Sequence, residues 1–391
     1  MPLNTNSCVA EAARLFHLVK KNRVSYVILF ATVVVSFLFT AAFLVYLPGN
    51  ESDVFHEEID VSGKELENKT VLDPDSLAHI LSDITSSFNQ LGPINSLIVS
   101  QHGEIVTEQY YGRMHSGRGQ NIKSASKSVL SILVGIAIDQ GYLDGVDQTI
   151  EEFFPDYFST NPDSLKASIT IEDLLTMRSG LASTSRANYG RWVMSNNWIR
   201  YTLDRPLQGI PGVDRIYSTG NTHLLAVILS RASDMSLLAF SNRYLFHPMD
   251  IRITGWDRDP QGYYFGGNNM AMRPSDMVKI GRLMMDVGKF NGQQIVSSDW
   301  IRKSIEPVTG RVLGVENYGY LWFQREAGDY HMSYAFGNGG QYILILPELD
   351  SVITVTTRNE SGLPTRNYRR ELMRTIDHEI VPLLEAAYAG V

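Results

Sequence analysis

The tetrad Ser124-Ala125-Ser126-Lys127 sets a hydroxyl and an amine three residues apart, one helical turn, so that both lie on the same face. A neutral serine hydroxyl is a poor nucleophile. An amine held beside it can take its proton if burial and the positive end of a helix lower the amine's pKa. The same helix start offers backbone N–H groups to a developing oxyanion. Chance supplies roughly one Ser-x-x-Lys in a chain of this composition, and this chain contains a single copy. Position strengthens the signal: residues 126–140 (SKSVLSILVGIAIDQ) are apolar almost all round, the mark of a helix buried inside a domain. The competing reading is an N-cap serine followed by a solvated lysine.

Two further stretches can join this pair. Tyr217-Ser218-Thr219 precedes another apolar helical run. A phenol near a cationic lysine can ionise and act as general base towards the serine or towards a deacylating water, although an ordinary helix N-cap also explains these residues. Asn338-Gly339-Gly340-Gln341 opens the strand-like run YILIL. Its glycines let backbone approach a bound acyl group, and the N–H of Gln341 can be a second oxyanion donor; taken alone, a glycine turn opening a strand accounts for it better. Other chemistries find less support. No Gly-x-Ser-x-Gly elbow and no His-Glu-x-x-His spacing occur among the nine histidines. His223 reads as a helix-surface or packed residue. Asp257 and Asp259, in a Pro/Gly-flanked loop, read as turn residues rather than as the carboxylate pair of a glycosidase. Trp198, Trp256 and Trp322 read as core.

The elements that must position these residues are visible in the pattern. Two strand-like runs, INSLIVSQ and EIVTEQYY, flank the turn signal His102-Gly103, and QYILIL and SVITVTT flank Pro347-Glu348-Leu349-Asp350. A helix is expected around LAHILSDITSSFNQL and another over residues 366–388. The expectation is an α+β fold: one antiparallel sheet flanked by helices, with an inserted, mostly helical region over about residues 125–310.

Composition narrows the class. With 391 residues, 44% hydrophobic and 19% charged, the chain can bury one large core or two moderate ones. A net charge of -8 offers no general basic surface, so nucleic acid is not an expected partner. The one cysteine, Cys8, excludes intramolecular disulfides and cysteine metal clusters. Residues 26–47 (YVILFATVVVSFLFTAAFLVYL) carry no charge and are long enough to cross about 30 Å of hydrocarbon. Arg14, Lys20, Lys21 and Arg23 precede this run and Glu51, Asp53, Glu57 and Glu58 follow it, which keeps the N-terminus inside. A short cytoplasmic segment (1–25), a transmembrane helix (26–47), an acidic linker (48–74) and an extracytoplasmic domain (75–391) are therefore expected. A cleaved signal peptide is the alternative, opposed by the length of the apolar run and the lack of a small-x-small cleavage site.

The three chemistry-bearing stretches, in this order, resemble the serine beta-lactamase and D,D-peptidase superfamily. The likeness is to the branch holding AmpC-type lactamases, EstB-type esterases and 6-aminohexanoate-dimer hydrolases, and IEDLLTMRSGL, WDRDPQGYYFGG and GNGGQYILILPELD support it over about residues 76–390. The resemblance implies an acyl-enzyme on Ser124, proton work shared by Lys127 and Tyr217, and an oxyanion hole from the N–H groups of Ser124 and Gln341. It implies no metal and no organic cofactor. Asn338, Gly339, Gly340 and Thr219 would border the substrate, and Tyr189, in the loop ASTSRANYGRW, would cover the acyl site as loops of this family do. Two departures matter. Asn338-Gly339-Gly340 stands where penicillin-recognising members carry Lys-Thr-Gly or His-x-Gly, removing a cation for a substrate carboxylate, and Thr219 replaces the asparagine of Tyr-x-Asn. Both favour a small-molecule or peptide ester or amide substrate over a lactam or D-Ala-D-Ala. A cell-wall peptidase or lactamase is the first alternative, and a membrane-bound ligand-binding or sensor module, with an accompanying protein partner to supply an output, the second.

Overall fold

The run Ser351–Thr357 is β-branched at every position after its serine, and all seven residues are buried. Such a strand fits the interior of a sheet covered on both faces. The computed structural model describes residues 76–77, 79–81, 94–308, 317–358 and 365–388. In it a seven-stranded antiparallel sheet is built from β1 (Ile94–Gln101), β2 (Glu104–Tyr110), β3 (Asn317–Tyr318), β4 (Phe323–Ala327), β5 (Tyr330–Gly337), β6 (Gln341–Leu346) and β7 (Ser351–Thr357). Their spatial order is β2-β1-β7-β6-β5-β4-β3. The hairpin nearest the N-terminus thus zips onto the last hairpin, with Ile94 opposite Thr357 and Gln101 opposite Ser351. One pair of buried hydroxyls meets across this seam, Ser96 Oγ lying 2.6 Å from Thr356 Oγ1.

Alternation along the strands feeds two cores. Ala335, Ile343, Ile345 and Val352 point into the larger one, which the inserted region fills. Tyr334, Tyr342, Leu344, Ile353 and Val355 point to the opposite side. There the closing helices supply Leu372, Met373, Ile376, Ile380 and Leu384. The principal helices are α1 (Ser126–Asp139), α2 (Thr219–Ser233), α3 (Pro274–Met285), α4 (Thr365–Thr375) and α5 (Val381–Tyr388). In α1 every residue from Ser126 to Ala137 is buried, as its all-round apolar character requires.

The α+β architecture, both hairpins, the buried helix and the closing helical segment agree with the expectation. The closing segment is interrupted by a π turn at Ile376–Ile380. The inserted region also holds a small sheet that the sequence does not announce, made of Gln120–Asn121, Ile253–Trp256 and Met270–Met272. Strands of two to four residues are too short for a period-2 signal. This sheet matters for the site, because the Ile122 N–H donates to Met270 O at 3.0 Å and so ties the chain before Ser124 to the loop before Met270. Among the described residues no single helix is long and apolar enough to cross a membrane. Residues 26–47 and the linker 48–74 lie outside the described residues.

The end of β5 meets the chain just before the candidate nucleophile at a glycine. A Cβ on Gly337, the last residue of β5, would lie 2.1 Å from Ile122 O, so backbone packs directly on backbone two residues before Ser124. Gly337→Ala must push these segments apart. The expected outcome is a loss of about 1–3 kcal/mol of stability, read by thermal denaturation. Fluorophosphonate labelling of the protein that remains folded should slow at least tenfold.

Candidate active site

Ser124 lies in a 3-10 turn, Lys123–Ala125, that runs straight into α1. The turn is strained at its entry, where Lys123 has φ +52. Its N–H is held by Asn121 Oδ1 at 2.9 Å, and Asn121 Nδ2 in turn donates to Asn269 Oδ1 at 3.0 Å. A left-handed non-glycine residue persists only where its surroundings enforce it, and such residues cluster at functional sites.

One turn into the helix, Lys127 is 2% exposed, which overturns the reading of a solvated lysine. Its Nζ lies 3.1 Å from Ser124 Oγ, 3.3 Å from Thr219 Oγ1 and 2.6 Å from Gly267 O. Burial with no carboxylate partner pulls the ammonium down to about 7. Charged, the amine donates to all three oxygens; a neutral amine in the same place has a lone pair with which to accept the Ser124 O–H while its N–H bonds reach Gly267 O and Thr219 Oγ1. The amine can therefore take the serine proton near neutral pH.

Tyr217 stands just before α2, half-buried, with its ring centroid 5.3 Å from Lys127 Nζ. Its carbonyl accepts a 2.7 Å bond from Ser183 Oγ. Ser218 occupies the N-cap position without capping through its side chain. The first N–H groups of α2 are met by the neighbouring loop instead: Thr219 N–H donates to Ser185 Oγ at 2.8 Å, and Gly220 N–H to Thr184 Oγ1 at 2.7 Å. Ser185 Oγ also lies 2.9 Å from Thr219 Oγ1, which joins it to Lys127 through one hydroxyl. An ordinary self-capped helix start is thus not what these residues form.

The start of β6 runs beside the Ser124 turn. Asn338 is exposed, and a turn closed by the Gly340 N–H bond to Gly337 O brings the chain back into β6. The Gln341 side chain faces away from this duty: its amide clamps Thr357, donating to Thr357 Oγ1 at 2.8 Å and accepting from Thr357 N at 3.1 Å. Any help to an oxyanion from Gln341 is through its main chain. Tyr189 is half-buried, stacks on Phe265 at 6.4 Å and accepts a 2.8 Å bond from Asn268 Nδ2. It therefore attaches to the loop that presents Gly267.

The 264–269 loop is the part of the site that residue types did not reveal. Gly267 has φ +84, and a Cβ there would meet Lys127 Cγ and Thr222 Oγ1, each at 2.5 Å. His223, expected as a helix-surface or packed residue, is fully buried, with Nε2 2.9 Å from Asp259 Oδ2. The surface alternative falls, because Trp192, Trp198 and Phe265 enclose the ring. Asp259 is a turn residue as expected, its Oδ1 accepting the N–H groups of Gln261 and Tyr263. Trp198 and Trp322 are buried, and Trp256 is half-buried.

A sheet flanked by helices, with a serine and a buried lysine one turn apart at the start of its central helix, defines a class. Residues 95–377 match the Beta-lactamase family, and the chain belongs to it. It is 24% identical over 302 residues to the 6-aminohexanoate-dimer hydrolase of Paenarthrobacter ureafaciens, a match covering 71% of this chain and 76% of that protein. The fold is shared with EstCE1, described as a hydrolase with promiscuous acyltransferase activity (TM-score 0.64, 17% identity, 81% of this chain and 99% of that one). It is shared too with the octameric penicillin-binding protein homologue from Pyrococcus abyssi (TM-score 0.59, 19% identity, 78% and 77%). The chain is a serine hydrolase related to 6-aminohexanoate-dimer hydrolase.

The depressed lysine carries a stability consequence with a definite sign. Below pH 7 both folded and unfolded Lys127 are protonated and the folded state bears the full cost of burying the charge. Between about 7 and the ordinary value of 10.5 the unfolded chain binds the extra proton, so this group's contribution to stability rises with pH. Lys127→Met should abolish phosphonate labelling yet melt above the wild type at pH 6. The gap should narrow as pH rises from 7 to 10. A variant that melts below the wild type at every pH would contradict the burial of an unpaired ammonium.

Proposed function

We propose that this protein is a membrane-anchored serine esterase or amidase that cleaves linear ester or amide bonds through an acyl-enzyme on Ser124. The observation that carries the reading is the 3.1 Å approach of the buried Lys127 Nζ to Ser124 Oγ. In the first half-reaction neutral Lys127 takes the Ser124 proton as Oγ attacks the substrate carbonyl. The N–H groups of Ser124 and Gln341 receive the negative charge that develops on the carbonyl oxygen. Collapse of the tetrahedral intermediate breaks the bond to the leaving group, which departs with the proton returned from Lys127 by way of Tyr217. In the second half-reaction Tyr217 and Lys127 deprotonate a water, which attacks the acyl carbonyl and releases the acid while Ser124 recovers its proton.

Substrate preference follows from what borders the site. Asn338-Gly339-Gly340 offers no cation where lactam-recognising relatives carry one, and Thr219 is smaller than the asparagine it replaces. Both support a linear amide or ester over a lactam, in keeping with the activity named for the Paenarthrobacter ureafaciens relative. The charge-free run 26–47, with basic residues before it and acidic residues after it, supports a retained anchor and a catalytic domain on the extracytoplasmic side.

The test is fluorophosphonate labelling of the domain followed by turnover of p-nitrophenyl acetate, the linear dimer of 6-aminohexanoate, and nitrocefin. Labelling should vanish in Ser124→Ala. Turnover should fall at least about a thousandfold in Ser124→Ala and Lys127→Ala, and about a hundredfold or more in Tyr217→Phe. Rapid nitrocefin turnover with no hydrolysis of the linear substrates would replace this assignment by the lactamase reading. A folded wild type that takes no label would favour the ligand-binding module.

A further inference from the structure

The buried pair of His223 and Asp259 lies outside the proton path just described, yet it adjoins the loop whose Gly267 carbonyl bonds Lys127. Along α2, Thr219, Thr222 and His223 share a face. Thr219 Oγ1 meets Lys127 Nζ, Thr222 Oγ1 donates to Gly266 O at 2.9 Å, and the Gly266 N–H approaches His223 Nδ1 at 3.4 Å. The loop lies so close to the helix that a Cβ on Gly266 would fall 2.1 Å from Thr222 O. The next carbonyl, Gly267 O, accepts the 2.6 Å bond from Lys127.

The partners of the imidazole select its tautomer. Asp259 Oδ2 can only accept while the carboxylate is ionised, and the Gly266 N–H can only donate, so the proton sits on Nε2 and the lone pair on Nδ1. Asp259 is itself locked, its Oδ1 accepting from Gln261 N at 2.9 Å and Tyr263 N at 2.8 Å, and its own N–H donating to Tyr263 O at 2.8 Å. Phe265 N–H bonds Asp257 O at 2.9 Å, which closes the same loop. Both side chains of the pair are 0% exposed. A buried carboxylate and imidazole are costly to keep unless each hydrogen bond serves; an apolar pair would fill this aromatic cage at less cost.

We propose that His223, oriented by Asp259, is a positioning residue that holds the Gly266–Gly267 turn and thereby fixes the Gly267 carbonyl against Lys127. The lysine's rotamer, and the direction of its lone pair towards Ser124 Oγ, then depend on a histidine that never meets substrate. This rests on the reading of Lys127 as the proton acceptor. A displacement near 1 Å at a reacting group can cost on the order of a hundredfold in rate, so an indirect effect of this kind is measurable.

Two substitutions divide the histidine's roles. His223→Asn puts an amide oxygen near the place of Nδ1 and keeps an acceptor for Gly266 while losing the donor to Asp259. His223→Gln does the reverse. With p-nitrophenyl acetate, and with active sites counted by fluorophosphonate, His223→Gln should lose at least tenfold in kcat with KM within twofold, and the acidic limb of its pH–rate profile should move. His223→Asn should stay within about threefold of wild-type kcat and keep the limb in place. Both should melt several degrees lower, which serves as the control for packing. If both variants lose stability but keep wild-type kcat per titrated site and the same acidic limb, the pair is a packing device and the proposal fails. Equal losses of kcat in the two variants would also overturn it, because the acceptor to Gly266 would then not be what matters. Failure of the Lys127 reading would appear separately, as wild-type and Lys127→Ala proteins that label alike.

Discussion

Lys127 has its amine beside Ser124 and no carboxylate to hold its charge, and most of the surrounding structure can be understood as what makes that tolerable. An isolated ammonium in an apolar interior is among the least stable things a fold can contain. Here it is 2% exposed and meets a serine hydroxyl, a threonine hydroxyl and a backbone carbonyl, all of them uncharged. Neutral acceptors orient an amine without restoring the preference for its charged form that an aspartate would give. Burial, with no carboxylate among the described residues to offset it, is what pulls the amine down to about 7. A lysine salt-bridged at the same place would remain protonated at neutral pH and could not accept the serine proton.

Three segments keep water from the amine, and each arrives from a different part of the chain. Helix α1 carries Ser124 and Lys127 against the sheet, with Gly337 allowing β5 to lie on Ile122. Helix α2 brings Thr219 and, through the hydroxyls of Thr184 and Ser185, a hydrogen-bonded start that leaves its first two N–H groups satisfied. The loop ahead of Met270 supplies Gly267 and is pinned by Thr222 and the His223–Asp259 pair. The small sheet joining Gln120–Asn121 to Met270–Met272 ties the first and third of these together. Strands of the large sheet then serve as a wall that fixes their common origin.

The parts legible in the sequence were those with a local code. A hydroxyl and an amine one turn apart at the head of an all-apolar helix, alternating strands beside turn residues, and a tyrosine ahead of another apolar helix all carry information within a few positions of themselves. The helices, hairpins and the Ser124–Lys127 pair were readable for that reason. Gly267 was not, because its role is played by a carbonyl, which every residue has. Ser185 was not, because it caps a helix that begins 34 residues later. His223 was read as packed or exposed, since a helical histidine gives no sign of an aspartate 36 residues away. Gln341 was read only for its main-chain N–H, and its side chain fastens Thr357; a strand's alternation says which face a residue takes but not which partner waits there.

These long separations have a consequence for when the chemistry becomes available. In an unfolded or half-assembled chain Lys127 is a solvated amine with a pKa near 10.5, protonated at neutral pH and inert as a base. The three-residue spacing from Ser124 survives in any isolated helix, but the desolvation does not. It requires α2 and the loop before Met270 to close on α1, contacts that bring Thr219 and Gly267 onto Lys127 from 92 and 140 residues further along the chain. The reactivity proposed for Ser124 is thus a property of the completed tertiary structure rather than of the motif. Anything that loosens one of the three covering segments should act first on proton transfer, through hydration of the amine, before it acts on binding or on global stability.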